Sequence, residues 1–112
     1  MNGYGLQHFT FEDGVGVMKL PKTILKQFNV TASEASLLVN AFSDVEGLKA
    51  WVFFIEEDDQ IRVRFRSKGP VVNTIASRFN GGGHPLAAGA TIYSWDDVDE
   101  IVQLLKEACR KD

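Results

Sequence analysis

Trp51, Val52, Phe53, Phe54 and Ile55 follow one another with no polar interruption, and this run constrains the fold more than any other stretch. A strand with one wet face alternates apolar with polar side chains, whereas five successive large apolar residues need cover on both faces. Leu48 to Ile55 is therefore predicted to be an interior strand. It needs strands on each side and helices above and below.

Those partners can be read from the chain. Ile61 to Ser67 alternates without a fault, with Ile61, Val63 and Phe65 on one face and Arg62, Arg64 and Arg66 on the other. Leu6 to Phe11 and Val15 to Leu20 are short strand patterns separated by Glu12-Asp13-Gly14, whose Asp-Gly pair signals a tight hairpin. Gly89 to Tyr93 supplies a further strand, with Ala90 and Ile92 sharing a face. Helical spacing appears in Ile24, Leu25 and Phe28 after Pro21, then in Ala35, Leu38, Val39 and Phe42, with Gly47 at the exit. Thr31-Ala32-Ser33-Glu34 has the form of a capping box before the second of these helices. Val72, Ile75, Ala76 and Phe79 mark a third, reached through Gly69-Pro70. Val98, Ile101, Val102, Leu105, Ala108 and Cys109 form the apolar stripe of a last helix capped by Ser94-Trp95-Asp96-Asp97. The pattern predicts an α/β fold, a single domain with a mixed β-sheet flanked by helices. The 112 residues suffice to bury one core.

Charge is unevenly distributed. The net charge is −3, yet no Asp or Glu occurs from Gln60 to Trp95, where Arg62, Arg64, Arg66, Lys68 and Arg78 stand. The other seven bases share the remaining sequence with all fifteen acids. A mildly acidic protein with one positive zone suits a small anionic ligand better than a long duplex. Arg62 and Arg64 fit a solvated sheet face or pairing with acids; Arg66 lies at a strand end, where α/β sheets present ligand-contacting groups. Its guanidinium can grip two phosphate oxygens, Ser67 can add a hydroxyl donor and Lys68 a mobile charge. Asp96, Asp97 and Asp99 read as first-turn acids that complement the helix dipole, and His8 as an ordinary strand residue. The single cysteine excludes an intrachain disulfide. No apolar run is long enough to cross a bilayer, and no His, Cys or acid spacing closes a metal site. A cytoplasmic location is the expectation.

The segment Asn80-Gly81-Gly82-Gly83-His84-Pro85-Leu86-Ala87-Ala88-Gly89 is poor in folding value. One glycine there reads as a helix C-cap, but three before a histidine point to a loop whose backbone N–H groups face an anion. Pro85 is expected to open a new helical turn.

Gly81-Gly82-Gly83-His84 followed by Pro85-Leu86-Ala87-Ala88-Gly89, with Arg66-Ser67-Lys68-Gly69 upstream, resembles the C-terminal DHH-associated domain of the DHH phosphoesterases. The likeness extends over nearly the whole chain and is strongest to the bacterial nanoRNase and 3'-phosphoadenosine 5'-phosphate (pAp) phosphatase group. In that family an N-terminal DHH domain holds manganese, and the C-terminal domain binds the substrate's phosphates and nucleotide. The resemblance implies a substrate-binding domain at residues 6–112, with residues 1–5 as a fragment boundary and the catalytic domain outside the chain. Arg66, Ser67, Lys68, Gly81, Gly82, Gly83 and His84 are the implied contacts to a short RNA or nucleotide phosphate, and His84 the implied electrostatic assistant. The chain contains no Asp-His-His run, so its own residues are expected to supply no catalytic metal and no hydrolysis. The equivalent domain of a cyclic dinucleotide phosphodiesterase and the nucleic-acid-binding C-terminal domain of alanyl-tRNA synthetases remain alternatives, as does a structural or oligomerisation module.

Overall fold

The computed structural model describes residues 9–111, so Met1 to Gly5, His8 and the beginning of the first predicted strand lie outside the described residues. In chain order the elements are β1 (Phe9–Glu12), β2 (Val15–Leu20), α1 (Lys22–Gln27), α2 (Ala32–Leu38), a 3-10 helix (Val39–Asp44), β3 (Ala50–Glu56), β4 (Ile61–Ser67), α3 (Asn73–Ser77), β5 (Gly82–His84), β6 (Ala87–Ile92), a 3-10 turn (Trp95–Asp97) and α4 (Val98–Lys111). The strands form one mixed sheet in the order β1-β2-β3-β4-β6-β5. Among the described residues only β2 and β3 pair in parallel; the other pairs are antiparallel.

The apolar run occupies the position its composition demands. Residues 50–55 of β3 are each at most 3% exposed, and their side chains divide by alternation. Val52 and Phe54 join a core with Val63, Phe65, Ala90, Ile92 and the apolar stripes of α3 and α4. Trp51, Phe53 and Ile55 join a second core with Met18, Leu20, Leu25, Ala35 and Val39 on the opposite face. Each fully buried Phe, Leu or Ile contributes on the order of 1.5–3 kcal/mol, so β3 is the spine of both layers.

Local chemistry sets several boundaries. Asp13 and Gly14 take φ values of 56° and 82°, the left-handed pair that joins Glu12 to Val15 in a primed hairpin turn. The Thr31 hydroxyl accepts from Glu34 N–H at 3.1 Å while Glu34 Oε1 accepts from Thr31 N–H at 3.0 Å, completing the capping box. The helix it starts is shorter than its periodicity predicts. After Leu38 the backbone tightens into the 3-10 helix, which rotates the apolar face, leaving Leu38 38% exposed and Val39 fully buried. Ser94 caps the turn before α4 by accepting from Asp96 N–H at 3.1 Å, and Cys109 is buried.

The glycine segment corrects two expectations. Asn80, with φ of 64°, is the left-handed residue that ends the α3 segment, and the Gly81 N–H donates to the Ala76 carbonyl at 3.0 Å in a Schellman arrangement. Gly81 is therefore not the left-handed cap. Pro85 opens no helix: Pro85 and Leu86 form the two-residue turn between β5 and β6. The Pro85 carbonyl accepts from Val72 N–H and the Leu86 carbonyl from Ser67 N–H, at 2.8 and 2.9 Å. These bonds tie the turn to the end of β4 and the approach to α3. Gly82–His84 is consequently an edge strand, because its backbone finds a ladder partner in β6 that no local signal announces.

Candidate functional site

The second core covers the sheet only over β1 to β3. On the same face of β4, β6 and β5 the outward residues belong to neither core, and the register arranges them in rows. Arg66 pairs with Ala87, which pairs with His84; Arg64 pairs with Gly89, which pairs with Gly82; Arg62 pairs with Thr91. Arg66 and His84 thus stand two strand spacings apart, about 10 Å between backbones. Strand alternation placed the arginines on this face, and the β5–β6 hairpin brings the histidine to it.

The face is basic and lacks internal neutralisation. Among the described residues the ion pairs are Lys22–Asp58 and Lys106–Glu12, and neither involves Arg62, Arg64 or Arg66. Partial burial, followed by the charge of Arg64, lowers the Arg66 pKa from its ordinary value. Both effects disfavour an isolated cation, and an arriving anion would oppose them. Arg66 Nε donates to Asn40 Oδ1 at 3.0 Å and its Nη1 to the Phe65 carbonyl at 2.8 Å. Lys68 Nζ donates to the Val45 carbonyl at 2.8 Å and keeps two donors. The Ser67 hydroxyl donates to the Pro70 carbonyl and accepts from Gly69 N–H at 3.1 Å. With the Lys49 carbonyl also within reach at 3.4 Å, its single proton is directed to backbone carbonyls. His84 is exposed, and its Nδ1 accepts from Leu86 N–H at 3.1 Å, so the ring offers Nε2–H as its donor.

The three glycines are not equivalent. A Cβ at Gly81 would lie 2.0 Å from the Gly89 carbonyl oxygen, an impossible approach. Gly83 has φ of 134° and would crowd the Ala87 carbonyl and Ala88 Cα at 3.0 Å, while its own carbonyl accepts from Asn73 Nδ2 at 3.1 Å. Gly82 has neither constraint: a Cβ there would meet nothing within 4 Å. At Gly89 the added Cβ would come within 3.2 Å of Arg64 Nη1, so the guanidinium lies across the glycine. Arg64 therefore covers Gly89, and Gly82 next to it is left open.

Residues 14–111 match the DHHA1 domain. The chain belongs to the DHHA1 family. Over 112 residues, covering 99% of the chain and 36% of the other protein, it is 53% identical to the bifunctional oligoribonuclease and PAP phosphatase NrnA of Bacillus subtilis (strain 168). An exopolyphosphatase-related protein from Bacteroides fragilis has the same fold with a TM-score of 0.78 at 26% identity, over 97% of this chain and 33% of that one. The C-Ala domain of Aquifex aeolicus alanyl-tRNA synthetase shares the fold alone, with a TM-score of 0.63 at 17% identity over 85% of this chain and 89% of that domain. This DHHA1 domain spans about a third of the length of the curated relatives it matches.

The DHHA1 domain thus gathers Arg66, Gly82 and His84 on one open face, sets Lys68 just beyond the end of β4, and uses Ser67, Gly81 and Gly83 to build the turn and hairpin beside them. Sequence reasoning missed Asn40, which lies 26 residues from Arg66, and the seating of Arg64 over Gly89, which depends on strand register; neither leaves a local pattern. A shallow groove of about 590 Å³, lined by Lys22, Leu25, Lys26, Val30 and Asp58, lies toward the opposite end of β3 from Trp51 and takes no part in this face. Among the described residues no group of three or more His, Cys, Asp or Glu side chains could hold a metal ion. They do not fit a manganese site. No helix among them is long and apolar enough to cross a membrane.

Proposed function

We propose that this DHHA1 domain binds the phosphate and nucleotide parts of a short RNA or of pAp and presents a phosphate to a DHH catalytic domain of the parent protein, where manganese would be held. The observation that carries the reading is the half-face of the sheet that belongs to neither core, with its arginines free of carboxylate partners among the described residues and Gly82 open beside them. Arg66 retains donors on Nη1 and Nη2 for two phosphate oxygens. Lys68 supplies a second, mobile charge, and His84 donates through Nε2. As the outer strand, β5 leaves alternate backbone groups directed away from β6, the usual property of a sheet edge. Ser67, Gly81 and Gly83 keep these donors in register.

Positioning and charge complementarity are what such a face can supply, since transferring phosphoryl groups to water also requires an activated nucleophile. The 53% identity to a bifunctional oligoribonuclease and PAP phosphatase supports the substrate class. The compact positive zone within a chain of net charge −3 favours a small ligand over a long duplex. Titrating pAp and a dinucleotide into the purified chain tests the reading. Saturable binding that weakens with salt is expected, in the roughly millimolar to high-micromolar range for a cleft with one wall. No binding of either ligand at several times that concentration would overturn it.

A further inference from the structure

Arg66 is held by a segment distant in sequence. Trp51 and Arg66 are direct partners across β3 and β4, and the indole N–H of Trp51 makes a buried hydrogen bond to the Val39 carbonyl. That bond pins the first residue of the 3-10 helix over the Trp51–Arg66 row. The next residue, Asn40, accepts from Arg66 Nε at 3.0 Å. Val45, the C-cap of the same 3-10 helix, accepts from Lys68 Nζ. Both cations at the end of β4 are therefore tethered to one short stretch of backbone.

We propose that Asn40 is a positioning residue for Arg66, fixing the guanidinium so that its free donors face the ligand phosphate; this deepens the phosphate-binding reading and rests on it. The donor count supports the role. A guanidinium carries five N–H groups; Asn40 takes the one on Nε and the Phe65 carbonyl one on Nη1, leaving three at the outer end for the two-bond grip that oxyanions accept. The chemistry of the acceptor fits as well. A carboxylate at position 40 would hold Nε equally well but would neutralise the charge on which phosphate binding depends. A neutral amide oxygen orients the cation and leaves its charge intact. Asn40 is exposed, so the fold itself places little demand on its side chain.

The test is a double-mutant cycle in the full 112-residue chain, with Asn40→Ala, Arg66→Ala and the double variant titrated with pAp. The Arg66 Nε–H resonance is recorded for the first of these. Asn40→Ala is expected to weaken binding roughly threefold to tenfold when Arg66 is present and less than about twofold when it is absent, the non-additivity of residues in contact. The Arg66 Nε–H signal should shift and exchange faster while the sheet amides stay in place, which a merely structural loss would not produce. If Arg66→Ala weakens binding and Asn40→Ala does not, the positioning role is wrong and the phosphate-binding reading stands. Equal losses in both backgrounds would also overturn the role, because Asn40 would then act independently of Arg66. Unchanged binding by Arg66→Ala would remove both readings together.

Discussion

Adding one methyl group at Gly82 separates what the fold needs from what a ligand needs. Gly81 and Gly83 are required by a close backbone approach and by a positive φ, but a Cβ at Gly82 meets no atom within 4 Å, and its φ is not positive. Gly82→Ala should therefore fold normally and gain about 0.4–1 kcal/mol, because alanine has fewer unfolded conformations to lose. The same methyl would stand on the face shared with Gly89 and Arg64. Misfit against a closely seated ligand costs about 1–3 kcal/mol, by analogy with an overfilled core, or roughly 5-fold to 150-fold in Kd. Urea midpoints and pAp titrations on the same preparations provide the comparison. Stability should rise slightly while affinity falls. Unchanged affinity would show that ligands do not approach over Gly82, and a lower urea midpoint would show that the fold does require this glycine.

Gly81→Ala should instead destabilise by roughly 2–3 kcal/mol or more, because its Cβ would force the Gly89 carbonyl aside; a wild-type urea midpoint would refute the close approach. Trp51→Phe removes the donor to the buried Val39 carbonyl and should cost about 1–3 kcal/mol, with exchange protection lost first in the 3-10 helix; uniform loss of protection would argue against local pinning. Arg66→Ala should weaken pAp binding by about 1.5–3 kcal/mol, the worth of hydrogen bonds to a charged group, while Arg62→Ala should cost on the order of 0–1 kcal/mol as a partly buried charge that only adds to the field; equal effects would mean that the face acts as a diffuse field. The carboxyls of Glu34, Glu12 and Asp58 are held below their ordinary range by the Thr31 N–H and hydroxyl, by Lys106, and by Lys22 respectively. Groups with depressed folded values stabilise above their unfolded pKa and lose that contribution as pH falls through the folded value. The urea midpoint should therefore fall below about pH 4, and Glu34→Gln, which cannot titrate, should make the fall less steep.

The parts of the fold written in contiguous chemistry were legible. Trp51 to Ile55 could only be an interior strand, Asp13-Gly14 could turn a hairpin, and Thr31 with Glu34 could cap a helix; each depends on neighbours in sequence. The switch to a 3-10 helix at Val39 was hidden because Ala35, Leu38, Val39 and Phe42 satisfy an uninterrupted α-helical face on paper. What decides the matter is burial of Val39 in the second core and the bond its carbonyl accepts from the Trp51 indole, 12 residues away. The glycine segment misled for a similar reason. Glycine carries no strand preference, so only pairing with β6 makes residues 82–84 a strand. At the candidate site the face of Arg66 was legible through alternation, while His84 reaches that face, and Asn40 and Gly89 become partners of the arginines, only through packing and register.

The central claim is that a nucleotide phosphate lies on the open half of the sheet. Titrating pAp into the isotopically labelled chain and following backbone amides and the Arg66 Nε–H signal tests it most directly. The account predicts that the Arg66 Nε–H, Gly82, Gly83, His84 and Gly89 signals move first and together, with one saturation curve. Shifts confined to α4, or to Lys22, Lys26 and Asp58 around the groove at the other end of β3, would contradict it.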